Sequence, residues 1–149
     1  MRKTYKLSFE IGGVLLFLLV MIPNVICFAV PAPNDVLRAA SRTEMVDAAA
    51  SVCQILMIAA LCFFRNRECR KMCVTPCIIM AAGCCLLYFL SWIVYYGGIV
   101  NAAVIFGLTV PPCLAFLFFA LDRRNVIAVI PISIFTVCHL IYGAVNFIM

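Results

Sequence analysis

Charge is what this sequence most lacks. Of 149 residues only 11% are Asp, Glu, Lys or Arg, and there is a single histidine and a single tryptophan. Soluble domains carry about 25% charged residues. With 67% of residues hydrophobic and a mean hydropathy of +1.19, a water-soluble fold of this length could not hide its apolar surface. No two of the ten cysteines are spaced as C-x-x-C, and no G-x-S-x-G turn occurs, so neither a dithiol redox centre nor a serine-hydrolase elbow is signalled. One histidine gives little basis for a metal site, and the C-x3-C-x3-C series of Cys69, Cys73 and Cys77 lacks a fourth ligand nearby. The expectation is a protein without metal, cofactor or catalytic residues, and not an enzyme.

What is present is a series of long apolar runs. Five of them, at about 11–30, 43–64, 76–96, 102–121 and 126–148, are long enough to cross a bilayer as helices. The predicted fold class is therefore all-α, an integral membrane protein that forms one compact bundle of five transmembrane helices over residues 1–149. The first run, with its basic start and Cys27-Phe28-Ala29, also has features of a signal peptide. Its length and Pro33 favour a retained helix.

The connections carry the remaining signals. Pro31, Pro33 and Asn34-Asp35 read as a turn that caps a short helix from Val36 to Ala40. Ser41 and Glu44 have capping-box spacing at the start of the second span. Pro76 suits the first turn of the third. Nine of the eleven Lys and Arg residues fall in the N-terminal segment, the 65–73 loop and the 122–125 turn. By the positive-inside rule these face the cytoplasm, which places the N-terminus inside and the C-terminus outside a cell membrane. Such short basic clusters flank spans and meet lipid headgroups; they give no sign of nucleic-acid binding.

Polar residues inside the spans need a reason. On the second span Asp47, Ser51 and Gln54 recur at steps of four and three, which puts them on one helix face. The fifth carries a similar stripe in Thr136, His139, Tyr142 and Asn146, and Asn24 follows Pro23 on the first. In the predicted orientation these residues gather in the outer half of the membrane, whereas the inner halves of the spans are nearly all apolar. Two readings follow. In one, Asn24, Asp47, Ser51, Gln54, His139, Tyr142 and Asn146 line an outward-facing polar pocket for a small ligand or transported solute. In the other, they hydrogen-bond across helices and hold together a structural or accessory partner of another membrane protein. The small residues Ala48 to Ala50, Ala81 to Gly83, Gly107 and Gly143 are expected to permit close helix approach. The lipid bilayer is the expected partner throughout. In a transporter, the odd number of spans calls for a second subunit or a homo-oligomer.

Overall fold

The computed structural model describes residues 5–69 and 71–147. Arg2, Lys3 and Arg70, which contribute to the basic count above, and Ile148, the expected end of the fifth span, lie outside the described residues. Five helices dominate: α1 (Ile11–Ala29), α2 (Glu44–Phe63), α3 (Pro76–Tyr96), α4 (Ala102–Asp122) and α5 (Val126–Phe147). Each has 19 to 22 residues and is long and apolar enough to span a membrane. At 1.5 Å per residue that is roughly 30 Å, the thickness of the hydrocarbon layer. Large apolar side chains such as Leu18, Ile22, Ile55, Leu87, Phe106, Ile130 and Val137 stand exposed on all five helices. Exposure of this extent is stable only against lipid, and the chain is a multi-pass membrane protein.

Helix α4 is the most buried element. It packs against α3 on one side and α5 on the other, α5 packs on α2, and α1 completes the bundle beside α2 and α3. Two of these interfaces depend on glycine. A Cβ on Gly107 would lie 2.0 Å from the Ser91 Oγ and 2.9 Å from its Cβ, so α3 and α4 meet at a distance that a larger residue reaches only if Ser91 shifts. A Cβ on Gly13 would lie 2.6 Å from the Leu61 carbonyl oxygen, which fixes the contact of α1 with α2. Gly143 packs closely on Thr109, whose Cγ2 would lie 3.3 Å from an added Cβ, but Gly83 faces open space and is not an interface residue.

Several local expectations are corrected. The bundle carries one antiparallel ribbon that the apolar pattern did not show, with β1 (Tyr5–Leu7) paired to β2 (Phe64–Asn66). The Ser41–Glu44 capping box does not form: α2 begins at Glu44, and the Ser41 hydroxyl accepts instead from the Thr43 amide at 3.0 Å. Val36–Arg38 is a single 3-10 turn, and the Asp35 carboxylate makes no cap bond to it. Asp35 is held instead by Arg38 at 2.9 Å and by the Tyr95 hydroxyl at 2.9 Å. Because α3 begins at Pro76, Cys69 and Cys73 precede the helix and share no face with Cys77.

The end of the bundle that bears the ribbon and the 122–125 turn, here the basic end, is not simply a rim of solvated charge. Arg123 is buried at 4% exposure and Glu10 at 6%. The Glu10 carboxylate meets Arg123 at 3.4 Å and Arg65 at 3.4 Å, and Arg123 also lies 3.8 Å from Asp122. Asp122 accepts a hydrogen bond from the Thr75 hydroxyl, which also caps α3. The buried Asn125 donates to the carbonyls of Ala60 and Phe64, both at 2.9 Å, and accepts from the Ala128 amide to cap α5. Asn66 donates to the Arg124 carbonyl at 2.9 Å. Two acidic and two basic side chains thus neutralise one another where α1, α2, α4 and α5 end, and the expected headgroup role does not apply to Arg123.

Candidate functional site

The joint between α1 and α2 is made at the basic end, through Gly13 on Leu61 and the Glu10 amide donating to the Cys62 carbonyl at 2.8 Å. Further along, α1 turns to α3 instead. The Asn24 carboxamide donates to the Tyr88 hydroxyl at 2.7 Å, and that hydroxyl donates to the Val20 carbonyl at 3.2 Å. Pro23 lacks the amide proton that would bond the Leu19 carbonyl, and the next carbonyl, of Val20, accepts from both the Asn24 carboxamide at 3.0 Å and the Tyr88 hydroxyl. Past the bonds that close this seam, the Tyr96 hydroxyl and the Arg38 guanidinium tie the carbonyls of Val30, Cys27 and Phe28.

The space left between α1 and α2 is a cavity of about 440 Å³ to which all five helices contribute. Its size lies within the roughly 300–1,000 Å³ of small-molecule sites. Asp47, Ser51 and Gln54 enter it from α2, His139 and Tyr142 from α5, and Asn24 from α1. Met57, Phe17, Phe116 and Phe135 line the part nearer the basic end. Asp47 and Met57 are ten residues apart on α2, which makes the cavity roughly 15 Å deep along the helix.

The polar side chains in this cavity divide into committed and uncommitted groups. Asp47 Oδ1 accepts from the Thr43 hydroxyl at 3.1 Å, and the Ser51 hydroxyl donates to the Asp47 carbonyl at 2.8 Å. Among the described residues, the Gln54 carboxamide, the His139 imidazole and the Tyr142 hydroxyl have no hydrogen-bond partner in the protein. The histidine ring is stacked instead, 5.0 Å from Phe135 with planes 18° apart and 6.1 Å from Tyr142 with planes 12° apart. That column follows from the spacing of residues 135, 139 and 142, which share one face of α5. Polar groups held in a membrane without a protein partner require water or a ligand.

Six of the seven candidate residues therefore surround one cavity. Asn146 is placed elsewhere: its oxygen accepts from the Arg42 amide at 2.7 Å and its nitrogen donates to the Thr43 hydroxyl at 2.9 Å, which latches the end of α5 to the start of α2. Thr136, on the same stripe, donates to the Ile132 carbonyl of its own helix at 2.7 Å. Sequence reasoning missed Tyr88 as a lining residue, although a tyrosine in the middle of an apolar span is a legible signal. It also missed the aromatic wall, because Phe17, Phe116 and Phe135 are indistinguishable by composition from lipid-facing phenylalanines.

Among the described residues, no group of three or more His, Cys, Asp or Glu side chains is arranged to hold a metal ion. Comparison with protein-family models, with curated proteins and with solved structures finds no match for this chain.

Proposed function

We propose that this chain is a non-enzymatic protein of a cell membrane, with its N-terminus in the cytoplasm, that binds a small ligand in an outward-facing cavity, either as a binding subunit or as part of a transporter. The supporting observation is the convergence of Asp47, Gln54, His139 and Tyr142 from two helices on one cavity, with hydrogen-bonding capacity left unused. Orientation rests on the nine of eleven basic residues that the sequence puts in the N-terminal segment, the 65–73 loop and the 122–125 turn. The Ser51 hydroxyl is committed to its own helix backbone and Ser91 is seated against Gly107, which supports a binding role over nucleophilic catalysis.

The reading as a structural or accessory partner is favoured at two positions. Asn24 and Asn146 do bond across helices, and their function is to hold the bundle together. Binding and scaffolding separate in one experiment. Asp47→Asn, Gln54→Ala and His139→Ala should abolish ligand-induced thermal stabilisation of the purified protein and leave the folded yield unchanged. A loss of folded yield from these three changes, with no ligand stabilising the unaltered chain, would establish the accessory reading instead.

A further inference from the structure

The charge and shape of the cavity restrict what it can hold. Among its lining residues Asp47 is the one acidic side chain, and none is Lys or Arg. Arg42 and Glu44 lie on a separate shallow groove around the start of α2. An anionic ligand, or the phosphate of a phospholipid headgroup, would therefore enter a site with no counter-charge and with a carboxylate in it. A cation would meet that carboxylate at one end. Beyond Asp47 it would find the Tyr142, His139 and Phe135 side chains along α5, and then an apolar stretch of Met57, Phe17 and Phe116. A carboxylate at one end, aromatic side chains beside it and an apolar end roughly 15 Å further along describe an elongated molecule with a charge at one end.

From this juxtaposition we infer that the cavity selects an amphipathic organic monocation, an ammonium carrying an aromatic or alkyl body, with Asp47 as its counter-ion and the body lying along α5. The inference rests on the ligand-binding reading and narrows it to one chemical class. Such an ammonium could come from a free amine or from a choline lipid; the absence of a basic lining residue for the lipid's phosphate favours the free amine.

A charge series on the unaltered full chain in lipid nanodiscs tests this at pH 8. Benzyltrimethylammonium is compared with its uncharged analogue 2-methyl-1-phenylpropan-2-ol and with phenylacetate, each followed by thermal shift and ligand-detected NMR. The expected result is binding of the cation at least tenfold tighter than of either analogue, lost at least tenfold in Asp47→Asn and abolished by Ala50→Trp, which fills the cavity. Equal or tighter binding of the neutral or anionic analogue, itself removed by Ala50→Trp, would overturn the cation inference and leave the binding reading standing. Binding of none of the three would overturn both. The series on the unaltered chain decides the matter even where Asp47→Asn fails to fold. Discs of phosphatidylcholine and of uncharged galactolipid distinguish the two sources. Equal affinity in both is expected, and a tenfold weaker affinity in phosphatidylcholine would assign the site to the lipid headgroup and overturn the free-amine source.

Discussion

At the basic end, Glu10, Asn66 and Asn125 are buried and each is bonded to a residue far away in sequence. In the opposite half, Gln54, His139 and Tyr142 are equally polar, lie among helices in the same way, and have no protein partner among the described residues. The difference separates two uses of polar side chains in a membrane protein. Where buried groups are paired with one another, removing one leaves its partner stranded and the fold loses stability. Where groups face a shared void, removing one strands nothing, and any cost appears in what the void can bind. Polar residues inside a membrane are thus ambiguous until their partners are counted.

Mutation should expose this contrast most strongly at Arg123. Arg123→Ala leaves Glu10 buried with only the more exposed Arg65, and about 3–5 kcal/mol of stability should be lost. Thermal unfolding followed by the fluorescence of the buried Trp92 would register it; an unchanged midpoint would erase the distinction between the two ends. Asn125→Ala removes two bonds to carbonyls of the α2–β2 joint and the cap of α5, with an expected loss of about 2 kcal/mol. Gly107→Ala drives a methyl group into Ser91, at a cost of about 1–3 kcal/mol, part of which Ser91→Ala should restore. Gln54→Leu and His139→Leu mark the other side of the comparison. Each should change stability by less than about 0.5 kcal/mol, or raise it, because a polar group without a protein partner is withdrawn from the membrane.

Orientation gives a further check that needs no mutation. Cys73 is exposed just before α3, and an impermeant thiol reagent should modify it from the cytoplasmic side alone. Cys69, in the same loop, should react more slowly, since it is half-buried and burial pushes its thiol above the ordinary range. Modification of Cys73 from outside would reverse the proposed topology and make the cavity face inward.

Much of this architecture is legible in the sequence, for a physical reason. Lipid demands about 20 apolar residues per helix and turns at the ends, so the limits of α1 to α5 follow from hydropathy and from Pro76, Asn101 and Asn125. The faces of α2 and α5 are legible too, since a step of three or four residues fixes which side chains point together. Distance between helices is not encoded that way. Nothing in the order of residues shows that α1 meets α2 at Gly13 and then turns to α3 at Asn24, which is what opens the cavity. Arg123 shows the same limit: a basic residue in a short turn reads as solvated, and only the fold reveals Glu10 and Asp122 beside it. Asn146 resembles its neighbours on the stripe but stands one turn too near the helix end, where Thr43 and Arg42 take it up.

The most direct test of the contrast is the access of water to Gln54. In a background with the ten native cysteines replaced, Gln54→Cys and Asn125→Cys would each be exposed to a small cationic methanethiosulfonate reagent applied to the outer side. The cavity as described predicts rapid modification at position 54, despite its depth of roughly 10 Å below Asp47, and none at position 125. A folded Gln54→Cys protein that does not react would contradict the account, because the polar stripes would then be packed against one another and not around a water-filled site.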